Sequence, residues 1–251
     1  MDTAELLKKR FIELARRSYN SGIFTFTDFL GLSELSAFEE IKRELQGVSY
    51  TLFGGHAATE RKMIRFGSPD ELLYEEPFPI ACVKAEPRQE KFADRLSHRD
   101  ILGALMNLGL ERDSFGDIVI INNVAYIFMK STVKDYVMES LTRAKRTELK
   151  LSEAIELPEG ELFKTEEKSV QLSSERLDAV IAKLFNLSRE DAKNLFIREL
   201  VFVSGKLMTN PSYTPKRDDV ISVRGYGRFI YKSYETTSRK GKLCAKVELY
   251  V

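Results

Sequence analysis

The sequence is sparing with the residues from which metal and catalytic centres are usually built. Among 251 residues there are two cysteines, two histidines and no tryptophan. Cys82 and Cys244 lie far from each other and from His56 and His98, so neither a zinc site nor a disulfide framework is expected. No apolar run is long enough to span a bilayer. The first residues mix Lys8, Lys9 and Arg10 into an amphipathic pattern and lack the apolar core of a signal peptide. Internal repeats and low-complexity tracts are also missing. The expectation is a soluble, reduced, cytoplasmic protein with no membrane contact, no metal and no other cofactor, monomeric in solution.

An overall excess of charge is lacking too, with 39 Lys and Arg against 38 Asp and Glu. Beneath that balance the signs are segregated. Residues 171–251 carry 15 basic and 9 acidic side chains, net +6, and the other 170 residues net −5. A sugar-phosphate partner would explain the gathering, because each neutralised phosphate releases counterions. A solvated basic surface would explain it as well, and charge alone does not separate the two.

Pattern within the basic end adds information. Leu177, Val180, Ile181 and Leu184 recur at the spacing of one buried helical stripe. Ser188 is suited to cap a second helix, with Asp191 three residues on and Leu187 just before the cap. Ala192, Leu195 and Phe196 form the buried side of that helix. Val201 and Val203 alternate before the Ser204-Gly205 turn, and Ile221 and Val223 alternate before Arg224. Two short helices and a small sheet are expected. Arg176, Ser188, Arg189, Lys193, Arg198, Lys206, Lys216, Arg217, Arg224 and Arg228 are left facing outward as candidate RNA-binding residues. Arg189 and Lys193 are expected on the outer face of the second helix.

This stretch resembles the small RNA-binding module named after the fourth small-subunit ribosomal protein, the S-four domain. The resemblance rests on Arg176-Leu-Asp178, Ser188-Arg189, Ala192, the Val-x-Val-x-Gly-Lys run ending at Lys206, and the Asp-x-Ile-x-Val-Arg-Gly-x-Gly-Arg run ending at Arg228. It implies that the second helix and the adjacent strand present Arg and Lys to structured RNA. Glu199 stands where such modules usually have Gly, and Ser204 replaces the usual turn Asn.

The rest of the chain reads as two further domains. Residues 1–75 are expected to be mostly helical with a small hairpin. A helix covers 3–19, Thr27 and Ser36 are suited as N-caps, and Ser36 with Glu39 suggests a capping box for a helix through Leu45. Strands around Tyr50–Phe53 and Met63–Phe66 flank Gly54-Gly55-His56. Residues 76–156 alternate strand, helix, strand, strand, helix, strand. Strands are expected at 80–83, 118–121, 124–129 and 148–151, and helices after Ser97 and over 132–144. That is the order of ferredoxin-like folds and RNA-recognition motifs. Pro158–Lys168 reads as a charged linker into the basic domain, residues 170–251. The fold class is α+β, in three small domains.

Phe53-Gly-Gly-His56, Glu60-Arg61-Lys62, His98-Arg-Asp-Ile-Leu-Gly103, Arg112 and Gly116-Asp-Ile118, ahead of an S-four-like end, resemble the YlmH family of Gram-positive and cyanobacterial proteins. That resemblance spans nearly the whole chain. It implies a ribosome-associated protein that binds rRNA or tRNA and serves quality control on stalled large subunits; the first 170 residues show no nucleotide-binding fingerprint, metal-ligand cluster or paired acid-base set, so no enzymatic activity is expected. It also implies an early link to cell division.

The remaining candidates are weighed on chemistry. His98, Arg99 and Asp100 are consecutive at a helix start, so their side chains fan around the axis and do not converge as a catalytic set. A cap, or a phosphate contact by Arg99, is favoured, and no catalytic residue is assigned. The two Gly-rich stretches, 54–56 and 225–227, complete no phosphate-loop pattern, so turn geometry or close backbone approach to RNA explains them better. Glu60, Arg61 and Lys62, with His98 and Arg99, form a candidate second RNA contact. Tyr126 and Phe128 alternate on one strand face as stacking aromatics do. Packing between domains is favoured for them, because no Lys or Arg lies between Arg112 and Lys130. The alternative functions are an RNA-modifying enzyme carrying an appended S-four module and a cell-division interaction factor.

Overall fold

The first apolar stripe of the chain forms helix α1, Thr3–Ser21, which turns Phe11, Leu14 and Ala15 inward. The computed structural model describes residues 3–45, 47–154, 158, 163–172, 174–236 and 243–250. The chain divides into two compact units, Met1–Leu162 and Phe163–Val251. The architecture is α+β throughout.

After α1 the first unit continues with β1 (Thr25–Phe26), α2 (Leu32–Ile41), β2 (Tyr50–Phe53), β3 (Met63–Phe66) and the single turn α3 (Pro69–Leu72). The three strands are antiparallel in the order β1-β3-β2, and every residue of the central β3 is buried. Phe11, Phe38, Ile64 and Phe66 form the core, with the Phe11 and Phe38 rings edge to face at 5.4 Å. Two caps expected from sequence are corrected. Ser36 lies inside α2, which begins after Gly31 and is capped by the Glu34 carboxylate on the Gly31 N–H. Thr27 caps no helix, for its Oγ1 accepts from the Ile64 N–H at 2.9 Å and is buried beside β3.

The same unit then runs through β4 (Ile80–Pro87), α4 (His98–Met106), β5 (Phe115–Ile121), β6 (Val124–Lys130), α5 (Ser131–Ser140), β7 (Arg143–Ala144) and β8 (Thr147–Glu153). Strand order is β5-β6-β4-β8-β7, and neighbours are antiparallel. The strand-helix alternation expected from sequence is present. Asn122 and Asn123 take φ of +48° and +64°, the left-handed pair that a two-residue hairpin requires. Ser97 and Asp100 form the expected reciprocal cap on α4. The helix expected to reach Ala144 instead stops at Ser140. Leu141 leaves helical geometry, and Lys145 at φ +52° turns the chain into the β7–β8 hairpin.

Val83, Ala85, Ala125, Ile127 and Met129 face a core shared with α4 and α5 residues Ile101, Leu105 and Val137. The other face of the sheet packs Phe128, Cys82 and Val119 against Phe29 and Met63 of the preceding segment. Burial pushes the Cys82 thiol up to about 12, so it stays protonated and inert. Both cysteines are free.

The second unit holds β9 (Thr165–Leu172), α6 (Leu177–Leu184), α7 (Arg189–Ile197), β10 (Val201–Val203), β11 (Lys206–Leu207), β12 (Val220–Val223), β13 (Gly227–Thr236) and β14 (Leu243–Tyr250). The sheet order is β11-β10-β12-β13-β14-β9. Alternate residues Val201, Val203, Ile221, Val223, Phe229, Tyr231, Ala245 and Val247 meet Val180, Ile181, Ala192, Leu195 and Phe196 of the two helices. The linker expected over Pro158–Lys168 is corrected from Thr165 onward, where β9 pairs with the whole of β14. Its residues 159–162 lie outside the described residues. Strand β9 buries only Leu172 and carries charge elsewhere, as an edge strand exposed to water does. Among the described residues no helix is long and apolar enough to cross a membrane.

Candidate nucleic-acid interface

The basic unit is organised around a buried acid. Asp178, in the first turn of α6, is fully buried. It accepts two hydrogen bonds from Arg176 at 3.1 Å and two from Arg189 at 3.0 and 3.1 Å. Arg176 is the residue before α6, and Arg189 is the first residue of α7. One carboxylate therefore ties the starts of both helices together. A buried carboxylate needs such partners, because desolvation without them is expensive. Two guanidinium groups around one carboxylate leave a unit of positive charge over. With side chains 38% and 43% exposed, both arginines keep part of that charge toward water.

The Ser188 hydroxyl is committed to structure, accepting from the Asp191 N–H at 3.0 Å and donating to the Asp191 carboxylate at 2.7 Å. Lys193 follows Arg189 by one helical turn and is exposed on the same face. Beside them a cavity of about 240 Å³ between the helices is lined by Lys183, Asn186 and Arg189. The expected outer face of α7 is thus present, but Arg189 is anchored at its inner side where Lys193 stands free of the core.

The other basic candidates fall elsewhere. Strand residues alternate across a sheet, and Phe202, Ser222 and Arg228 occupy one cross-strand row facing away from the helices. On that face Arg224 lies 5.0 Å over the Phe202 ring and Arg228 3.8 Å over Tyr250. Arg198 ends α7, close in the fold to Arg224, whose N–H bonds the Leu200 carbonyl. Lys206, Lys216 and Arg217 sit at the opposite end of the short strands. There Ser204 and Gly205 form a left-handed turn, and the Ser204 N–H bonds the Val220 carbonyl. Asp219 holds that end by accepting from the Lys216 N–H and the Tyr213 hydroxyl, each at 2.8 Å. Desolvation and that acceptor push the Tyr213 phenol up to about 12. The ten candidates thus line two faces and two ends of the unit. Arg176, Arg189 and Lys193 form the coherent group on the helix side.

The second candidate set, in the first unit, is built differently. Arg61 donates from Nε to the Phe115 carbonyl at 2.9 Å and from a terminal nitrogen to the Phe29 carbonyl at 2.7 Å. Arg112 reaches the same Phe115 carbonyl at 2.6 Å and that of Gly116 at 3.2 Å. The Asp117 carboxylate accepts the backbone N–H groups of Glu60 and Arg61 at 2.7 and 3.0 Å. Burial lowers the pKa of both guanidinium groups, that of Arg112 to about 10 with Arg61 adding repulsion. Burial and then Arg112 lower His98 from its ordinary value, although much of its side chain faces solvent. Arg99 is exposed, and Lys62 pairs its backbone with Leu30. Sequence reading passed over Arg112 and Asp117 as working parts. Their signal was their place among the residues that carry the YlmH resemblance, which gave them no role of their own.

The aromatic strand is resolved by burial. Phe128 is 1% exposed and packs on Phe29 and Met63, so the favoured packing between the expected 1–75 and 76–156 segments, which share one compact unit, holds for it. Tyr126 stays half-exposed on the same face. Gly55, at φ +95°, explains the Gly-rich loop, for a Cβ there would stand 2.4 Å from the Phe128 ring. The close approach is to that ring. Gly116 is held likewise, its Cβ position 2.7 Å from Phe29.

Among the described residues no group of three or more His, Cys, Asp or Glu could hold a metal ion. The arrangement offers cations and hydrogen-bond donors for an anionic group.

Comparison with known proteins bears on this site. Residues 75–157 match a family model described as "Putative RNA-binding domain in YlmH". The chain is 32% identical over 222 residues to the "Ribosome-associated protein quality control protein P2" of Bacillus subtilis (strain 168), spanning 86% of this chain and 83% of that one. A solved structure, "Cell division protein ylmH from Streptococcus pneumoniae", superposes with a TM-score of 0.47 at 19% identity, over 59% of this chain and 89% of that one.

Proposed function

The chain belongs to the YlmH family, and from that premise we propose that it is a ribosome-associated RNA-binding protein acting without catalysis. Its partners are rRNA or tRNA on the large subunit, in the handling of stalled translation. The basic unit is read as an S-four-type domain that grips structured RNA through Arg176, Arg189 and Lys193. The segment matched as RNA-binding, with its β5-β6-β4-β8 order, is read as a ferredoxin-like second contact. The observation that carries the proposal is the arginine pair around Asp178. It holds two cations rigidly at the starts of two helices with one positive charge unspent. Rigid, partly exposed guanidinium groups suit phosphate, which they can meet through two donors at once. The printed name of the Bacillus subtilis relative, a ribosome-associated quality control protein, supports the same reading.

Sedimentation of the full chain with ribosomal subunits at increasing salt tests the proposal. Expected is co-sedimentation with the large subunit that falls steeply with salt, as phosphate contacts require. Absence of the protein from ribosomal fractions at low salt would exclude it.

A further inference from the structure

The five-stranded sheet of the first unit is covered on both faces around Phe128, by α4 and α5 on one side and by Phe29 and Met63 on the other. Its β7–β8 end is open. There Arg88, Arg143 and Arg146, with Gln89, Phe92, Thr147 and Glu148, surround a cavity of about 220 Å³. The three arginines arrive from two segments, Arg88 just after β4 and the others from the β7–β8 hairpin. The frame is firm, since Arg88 Nε bonds the Leu149 carbonyl at 3.2 Å and the Asp94 N–H bonds Thr147 Oγ1 at 2.8 Å. Glu148, cross-strand from Arg143, is the acid among the lining residues. No carboxylate ion-pairs with any of the three guanidinium groups among the described residues. Lys145, in the same hairpin, is taken up by Asp100 at 2.8 Å. Residues 88–95 and 143–148 together carry six basic and three acidic side chains, within a part of the chain that is net acidic. Phe92, at the rim, is 76% exposed, with the Lys91 ammonium 5.8 Å from its ring centre.

We infer that this cavity is a subsite for an unpaired RNA nucleotide, its phosphate held by Arg88, Arg143 and Arg146 and its base stacked on Phe92. The inference rests on the RNA-binding reading above and adds the place and the form of RNA. Guanidinium groups without carboxylate partners around a cavity offer the donors that a phosphate accepts. A ring face open to water stacks on a base only when that base lies outside a duplex.

The chain contains no tryptophan, so Phe92→Trp in the full-length protein introduces a single indole at the proposed stacking position. That variant is titrated with a dye-labelled single-stranded oligoribonucleotide, reading indole quenching and dye anisotropy together. Expected is quenching that saturates with the anisotropy change, and a midpoint raised about tenfold when Arg143→Gln and Arg146→Gln are added. Anisotropy that reports binding with no quenching, or with quenching indifferent to the two arginine changes, overturns the subsite and leaves the RNA-binding reading intact. Equal quenching by a blunt duplex also overturns it. A chain that shows no anisotropy change with any RNA at low salt removes both the subsite and the reading on which it rests.

Discussion

Arg61 and Arg112 of the first unit and Arg176 and Arg189 of the second do opposite work. Arg61 and Arg112 spend their N–H groups on backbone carbonyls. Arg65 is nearly buried, between the rings of Phe24 and Phe78 at 4.8 and 5.2 Å, with a bond to the Glu76 carbonyl. Arg61 acts as a cross-brace from the loop before β3 to the strand that begins at Phe115, Arg65 ties β3 to the Glu76 carbonyl, and Arg112 secures the start of β5. In the second unit Arg176 and Arg189 share one carboxylate and keep charge in reserve, and Lys193 and Arg217 are exposed. The difference teaches that a count of Lys and Arg locates a nucleic-acid face only after the partners of each have been found. Burial against neutral acceptors leaves a cation few donors to offer, whereas sharing an acid leaves Arg176 and Arg189 partly exposed with charge to spare.

The contrast can be broken most sharply at Arg61. Arg61→Met should lower unfolding free energy by about 2 kcal/mol, because two hydrogen bonds from a charged donor are lost and their carbonyls are left wanting. RNA affinity per folded molecule should stay put. Urea denaturation and binding on one preparation check this, and a loss of affinity at unchanged stability would make Arg61 a reader after all.

Next comes the pair on α7. Lys193→Ala should weaken RNA binding by roughly 1 kcal/mol and flatten the salt dependence by about one unit of slope, with stability unchanged. Arg189→Ala should do the same and also cost about 1–2 kcal/mol of stability, since Asp178 is left with Arg176 alone. If the two variants melt alike, the Asp178 tie contributes nothing to folding and the comparison blurs.

The smallest expected effect is at His98. Its folded-state pKa is lowered, so the unfolded chain binds the proton at higher pH than the native one. Stability is then fully present above the ordinary histidine value and declines as pH falls from there toward the lowered one. His98→Asn should flatten that decline between neutral and mildly acidic pH. A melting-temperature profile against pH with the same slope in both proteins would contradict it.

What could be read beforehand followed from local rules. The Ser188 and Ser97 caps, the two-residue gap between the strands expected at 118–121 and 124–129, and the alternation of Val201 and Val203 depend on a few consecutive residues, and the structure has them where they were expected. The errors are tertiary. Ser36 and Glu39 have the spacing of a capping box, yet packing of Leu32 and Leu35 starts the helix earlier. The stretch 165–168 looks like the end of a linker because an edge strand with water on one side needs few apolar residues. At the site, the basic residues of the second unit could be named, but not divided between its two faces. Arg189 could not be told from Lys193, because the burial of Asp178 is a property of the packed helices.

Strand β9 has a kinetic consequence as well. Its partner is the last strand of the sheet, so Leu172 lies beside Leu243 across almost the whole length of the unit. The helix pair and the β10–β12 ladder join residues close in sequence, and they close small loops at small entropic cost. Joining the first strand to the last closes the largest loop the unit contains, a contact rewarded only after that greater cost has been met. Until the two ends meet, β14 offers an open edge to any extended chain nearby. Slow closure and exposure to mispairing are thereby concentrated at this one seam.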